Sequence, residues 1–217
     1  MLEFIQHCLN GLIIGGAYAL IGVGMTMILG IMRVINFAHG EFYMLGAYVC
    51  YSLVTLFGVN FFLAFPIAIL AMALVGCGVE QVVLRPLRGR ELNTNMMAMI
   101  GVSIAFSNLA LLIWGAVPQA IPQPFPGGAI DIFGLSFTPF RLFIFGTALV
   151  IIVGVHLFIQ RTMQGKSMRA TFQDMEMASM LGVRVNRVFP LTFGLGAAMA
   201  GGPAILLGVW FGLSPPR

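Results

Sequence analysis

Arg161-Thr-Met-Gln-Gly-Lys-Ser-Met-Arg-Ala-Thr-Phe-Gln-Asp-Met-Glu-Met-Ala-Ser-Met-Leu-Gly-Val-Arg-Val-Asn-Arg187 is the one long polar stretch in a chain that is otherwise strongly apolar. Within it, the run from Ser167 to Leu181 has the composition of a short helix that stops at Gly182. Residues three or four apart share a helical face. Met168, Phe172 and Met175 therefore form an apolar stripe, and Arg169, Gln173 and Glu176 a polar one. An amphipathic element held between two apolar runs suits a groove on a soluble partner. The alternative is a helix lying on lipid headgroups.

The sequence on either side of this stretch sets the class. Charged residues make up 8% of the 217 residues and hydrophobic ones 59%, whereas a soluble domain carries roughly 25% charged residues. A soluble core of this size could not hide so much apolar surface, so the surrounding solvent is lipid. A membrane-crossing helix needs about 20 mostly apolar residues. Candidate spans run from Cys8 to Met32, Ile35 to Leu56, Phe61 to Leu84, Met96 to Val117, Phe140 to Gln160 and Val188 to Leu213. The expected fold is all-α: a polytopic integral membrane protein of about six transmembrane helices, with one short helix in the polar loop. Residues 1–217 are expected to form a single domain.

Basic residues orient the bundle, because loops on the cytoplasmic side are enriched in Lys and Arg. Arg33 follows the first span. Arg85, Arg88 and Arg90 follow the third. Arg161, Lys166, Arg169, Arg184 and Arg187 follow the fifth. Placing these loops in the cytoplasm puts both termini outside and leaves only Arg141 and Arg217 on the outer side. The segment from Pro118 to Pro139 then lies outside. Its Pro122, Pro124, Pro126, Gly127 and Gly128 forbid a helix, and it is expected to be a connector. The first span is expected to be retained rather than cleaved: no basic residue precedes it, and it exceeds the 7–15 residues or so of a signal-peptide core.

Several chemistries are excluded. The net charge of +4 does not indicate nucleic acid, because the basic residues sit in short loops between apolar runs. Cys8, Cys50 and Cys77 are scattered through apolar runs and are expected to be small buried hydrophobes, not metal ligands. Gly165-Lys166-Ser167 matches the tail of a phosphate-binding loop, but the required earlier glycine is Gln160 and no strand precedes it. No HExxH or GxSxG pattern occurs, so the chain is not expected to be an enzyme. Mid-span ionisable groups of the kind that couple transport to an ion gradient are lacking. Energy for any transport would then come from outside the chain.

Polar groups do cluster at one hand-over between spans. Asn36, His39 and Glu41 lie in Arg33-Val-Ile-Asn-Phe-Ala-His-Gly-Glu41. If this segment is helical, Asn36, His39 and Gly40 share a face. Polar groups near the bilayer interior usually face protein or a water-filled path. The segment is therefore either a structural turn at the membrane surface or a gate at the inner end of a pathway. Glu80 can pair with Arg85 or reach interfacial water. His7 and His156 stand alone and are expected to be buried and satisfied. Thr26, Ser103 and Asn108 could bond across helices. Two faces of small residues, one of Gly11, Gly15 and Ala19 and one of Gly196 and Ala200 beside Ala197 and Gly201, fit general crowding within one bundle.

Two stretches carry a family resemblance. One is Gly15-Gly-Ala-Tyr-Ala-Leu20, running on to Asn36-Phe-Ala-His-Gly-Glu-Phe-Tyr-Met-Leu-Gly-Ala-Tyr48. The other is Arg169-Ala through Asp174, Glu176, Ala178 and Gly182. Both resemble the branched-chain amino acid ABC transporter permeases of the LivH type. The resemblance implies an importer subunit in the bacterial inner membrane that carries leucine, isoleucine and valine. Relatives for urea, amides or other amino acids are the alternative. It implies a second, LivM-like permease, two ATP-binding subunits of the LivG and LivF kind and a periplasmic solute-binding protein as partners. It also implies that ATP is bound by those subunits, with no cofactor in this chain. Loop 161–187 would then hold the coupling helix that docks on an ATPase. The importer pattern Glu-Ala-Ala-x-x-x-Gly is met there by Glu176-Met-Ala-Ser-Met-Leu-Gly182, with Met177 in place of the first Ala. Arg169, Asp174, Glu176, Ala178 and Gly182 are the implied coupling residues, and Asn36, His39 and Glu41 the candidate gate. Members of the family run longer, so the chain is expected to be a C-terminally short one. Taken without the resemblance, the residues leave open a facilitator that needs no ATPase, or a non-transporting fragment.

Overall fold

The computed structural model describes residues 2–117, 119, 121–122, 130–132, 135–137 and 139–211. The chain forms α1 (Leu2–Met32), α2 (His39–Thr55), α3 (Phe61–Val79), α4 (Leu92–Trp114), α5 (Pro139–Arg161), α6 (Met163–Gln173), α7 (Met175–Met180) and α8 (Val185–Phe211). A short antiparallel hairpin, β1 (Ile130–Ile132) with β2 (Leu135–Phe137), stands in the connector before α5. Apart from residues 119 and 121–122, the rest of that connector, with the prolines at 124 and 126, lies outside the described residues, as do residues 212–217. Among the described residues, five helices, α1, α3, α4, α5 and α8, are long and apolar enough to cross a membrane. α2 has only 17 residues, about 25 Å at 1.5 Å per residue. It lies between turns at Asn36 and Gly58 and packs against α3, α4 and α8. The all-α polytopic fold holds, with the hairpin as an addition.

Local chemistry sets the reversals. α1 ends where Arg33 takes a left-handed backbone conformation, φ 54°. Asn36 then closes a turn: its Oδ1 accepts the Ala38 N–H at 3.0 Å, and its carbonyl accepts the His39 N–H at 3.2 Å. The turn starts α2 without a conventional side-chain cap. Asn36 is therefore not on a helix, and the expected Asn36/His39/Gly40 face does not form. Between α2 and α3 the chain turns at Gly58, φ 65°. Asn60 then caps α3 by accepting the Phe62 N–H at 3.0 Å. The end of α3 changes pitch, through a π turn (Glu80–Leu84) and a 3-10 turn (Arg85–Leu87) that contains Pro86. Proline lacks the N–H that would continue an α-helix.

α8 is the hub and packs against α1, α2 and α3. Of its most apolar stretch 89% is buried, against 11% for α4 and for α5. Small residues allow this. A Cβ on Gly46 of α2 would lie 2.5 Å from Gly201 Cα, and one on Gly76 of α3 would lie 2.7 Å from Ala197 Cβ. The face of Gly196, Ala197, Ala200 and Gly201 is thus the crowded core that was expected. Gly11, Gly15 and Ala19 instead point outward, and nothing lies within 4 Å of a Cβ built on either glycine.

α4 is pinned to α2 along its length. Ser103 Oγ donates to Glu41 Oε1 at 3.1 Å, Phe42 meets Phe106 edge-on at 5.5 Å, and Tyr48 stacks on Trp114 at 4.9 Å. Of the three polar groups expected to bond across helices, only Ser103 does so. Thr26 and Asn108 donate back to the Val23 and Ile104 carbonyls of their own helices. Cys50 is buried, Cys77 is half-buried and donates to the Pro190 carbonyl at 3.2 Å, and Cys8 is exposed. His7 and His156 are exposed rather than buried.

Candidate functional site: the basic end of the bundle

One end of the bundle carries Arg33, the turns after α3, and the α6–α7 segment. The sequence points to one continuous helix from Ser167 to Leu181, but the structure breaks it at Asp174, whose backbone is extended (φ −151°, ψ 111°). The reason is local. Asp174 is a favoured N-cap, and its Oδ1 accepts the N–H groups of Glu176 at 2.9 Å and Met177 at 3.0 Å. α6 has its own cap: Thr162 Oγ1 accepts the Gly165 N–H at 3.0 Å. Gly165 is buried against the Ile159 carbonyl, where a Cβ would clash. That close approach is what Gly165 serves, in place of the phosphate loop that its neighbours Lys166 and Ser167 resemble.

The expected polar residues Arg169, Gln173 and Glu176 are all exposed, but the expected apolar stripe does not form one buried face. Met168 and Thr171 are buried towards the bundle, while Phe172 and Met175 are exposed. Gly30 of α1 leaves room for the Phe172 ring, whose Cε2 would lie 2.9 Å from a Cβ placed there. α7 then closes as expected at Gly182, φ 88°. The Gly182 N–H donates to the Ser179 carbonyl and the Val183 N–H to the Ala178 carbonyl, both at 3.0 Å. That pair of bonds is the Schellman motif, which calls for glycine at this position. Among the expected coupling residues, Arg169, Asp174 and Glu176 are exposed and Ala178 is buried. The exposed face of α7 and its end is apolar: Met177 is 60% accessible, Met180 73% and Leu181 87%.

A cleft of about 840 Å³ separates this segment from the rest of the basic end. Thr171, Asp174, Glu176 and Ser179 line one wall, and Arg33, Arg88, Arg90, Asn186 and Phe189 the other. Asn36, His39 and Glu41 do not line it. His39 is buried and faces α1, with Nε2 3.1 Å from the Ile21 carbonyl oxygen. Asn36 Nδ2 and His39 Nδ1 are buried without partners among the described residues. Asn36 and His39 thus sit at the joint between α1 and α2, Glu41 ties α2 to α4, and the coupling residues Asp174 and Glu176 line a separate cleft wall.

Glu80 is fully buried, and its partner is Arg88 rather than Arg85. Arg88 also donates to Asn186 Oδ1 and lies 4.7 Å from the centroid of the Phe189 ring. Sequence spacing could not show this cluster. Residues eight apart on a straight α-helix are separated by about 12 Å along its axis. Here the pitch change after Val79 and the extended backbone at Arg88 (ψ 135°) turn the guanidinium back.

The family described as "Branched-chain amino acid transport system / permease component" matches residues 7–217. The permease protein BraD of Pseudomonas aeruginosa, named for a high-affinity branched-chain amino acid transport system, is 35% identical over 226 residues, covering 99% of this chain and 74% of BraD. LivH of Escherichia coli K12, named for the same kind of system, is 35% identical over 227 residues with the same coverage. A probable LivH of Methanocaldococcus jannaschii is 26% identical over 200 residues, 88% of this chain and 62% of the relative. No solved structure matches the chain. Near-complete coverage by one family, on a polytopic bundle whose polar loop ends in the Glu176-to-Gly182 pattern, makes the chain a member of the branched-chain amino acid transport permeases.

Proposed function

We propose that this chain is a permease subunit of an ATP-binding cassette importer, moving leucine, isoleucine and valine inward across a bacterial inner membrane. Separate subunits bind and hydrolyse the ATP. A second permease completes the pathway, and a periplasmic binding protein delivers the solute. The observation that carries this reading is the α6–α7 segment. It is capped at both ends, and its outward side presents Met177, Met180 and Leu181. Large apolar side chains clustered on the tip of a polar loop mark a protein contact, and methionine adapts to such a surface. The distribution of Lys and Arg favours a cytoplasmic tip, within reach of an ATPase. The names of the relatives support branched-chain amino acids as the solute.

Two measurements test this. In proteoliposomes holding all partner subunits, ATP-dependent uptake of labelled leucine is expected, competed by isoleucine and valine. Competition by urea or amides alone would reassign the solute, and uptake without ATP would make the chain a facilitator. In a cysteine-free background, Leu181→Cys is expected to react with a membrane-impermeant maleimide only from the cytoplasmic face. Labelling from the outer face would invert the bundle and remove the docking role. On the same reading, Asn36, His39 and Glu41 gate the inner end of the pathway, Asn36 and His39 by setting the angle between α1 and α2 and Glu41 by holding α2 to α4.

A further inference from the structure

Arg88 joins the end of α3 to the start of α8, two elements that the covalent chain connects only at a distance. Its guanidinium pairs with Glu80 at the end of α3, donates to Asn186 in the first turn of α8, and covers the Phe189 ring one turn further on. Glu80 is fully buried, and its Oε2 has no partner among the described residues, as is true of Arg88 Nε. An ion pair whose carboxylate is fully buried and whose bonding capacity is unmet is a poor way simply to hold two helices together, because apolar packing of the same volume is often at least as stable. A directional, forked contact does something apolar packing does not: it fixes the relative orientation of two elements.

The surroundings say which orientation is at stake. Gly182 closes α7, and α8 starts at Val185, so displacement of α7 must be felt by the turn that holds Asn186 and Phe189. Across from that turn lies the cleft of about 840 Å³, with Asp174, Glu176 and Ser179 on the far wall. The coupling segment therefore has room to move against α3, and Arg88 is the polar tie that carries α3 along with α8. We infer that Arg88 is a positioning residue of the transport cycle: by clamping Glu80 to Asn186 it makes the ends of α3 and α8 move as one body when α7 is displaced. This rests on the importer reading above and extends it to residues outside the docking surface.

The test uses the assembled complex in proteoliposomes, scoring leucine transported per ATP hydrolysed. Arg88→Lys keeps a cation beside Glu80, so no buried charge is orphaned, but a single ammonium cannot reproduce the fork to Asn186. Asn186→Ala cuts only the hydrogen-bonded arm to α8 and leaves the Glu80–Arg88 pair and the Phe189 contact intact. Each variant is expected to recover the ATPase subunits while lowering leucine per ATP about tenfold, within the usual range of coupling between sites. The double variant is expected to be no worse than either single one, because both remove one contact. An unchanged ratio in Asn186→Ala overturns the inference, and so do losses that multiply in the double variant. If Arg88→Lys does not assemble, Asn186→Ala decides alone. Absence of leucine uptake by the unmodified complex is a different outcome, which removes the importer reading itself.

Discussion

Gly46→Leu is expected to abolish recovery of folded protein from membranes. Even the first carbon of a side chain at this position would meet backbone: it would lie 2.5 Å from Gly201 Cα and 3.0 Å from the Gly201 carbonyl oxygen. A crowded side chain can change rotamer, but backbone inside a helix cannot move aside without moving the helix. Overpacking a core typically costs about 1–3 kcal/mol when side chains can adjust. Here α2 and α8 would have to part, which opens the layer that buries Leu45, Ala47, Ala200 and Ala204. The total stability of a domain is only about 5–15 kcal/mol, so a cost above the usual range is enough to prevent assembly. Gly78→Leu is the control. It lies on α3, where nothing comes within 4 Å of an added Cβ, and it is expected to leave recovery unchanged. The measurement is the monodisperse peak of tagged protein in size-exclusion chromatography. Equal recovery of both variants would mean that α2 and α8 do not cross at Gly46 and Gly201.

The second large effect concerns the tip of α7. Met177→Asp combined with Leu181→Asp is expected to lower co-purification of the ATP-binding subunits by at least thirtyfold. Apolar anchors at the centre of an interface each contribute about 2 kcal/mol or more, and about 2 kcal/mol is roughly a thirtyfold change in affinity. Both side chains are more than half exposed in the isolated chain, so changing them removes the contact surface without emptying a core position. Gly182→Val addresses something else. At φ 88° a β-branched residue is strained, so this variant tests the shape of α7 rather than its contact. Normal recovery of the ATPases with the double aspartate variant would place docking elsewhere. A segment of this kind would then lie on lipid headgroups.

Much of the architecture is legible in the chain, because lipid imposes a simple rule. Spans must be long and apolar, and nearly every one stands out on that ground. α2 is the exception in length, since the Asn36 turn and the Gly58 turn trim it at both ends. The coupling segment is equally visible as the long polar interruption, and Gly182 as its end. The break at Asp174 had a signal too: aspartate caps helices. The methionine-rich composition around it favoured reading straight through. The Glu80–Arg88–Asn186 cluster had no signal at all, because it depends on a change of helical pitch followed by a chain reversal.

The sequence by itself therefore determined the solvent, five of the six expected long apolar helices and the place of the polar lever, since each follows from composition over a window. Only the tertiary structure decided which helix is central. α8 has the lowest mean hydropathy of the five long spans, 1.5 against 2.1 to 2.6, and is by far the most buried. Hydropathy measures affinity for lipid, and a helix enclosed by other helices meets almost none. What it needs is small residues such as Gly196, Ala197, Ala200 and Gly201, which let backbones approach closely enough to replace lipid with protein.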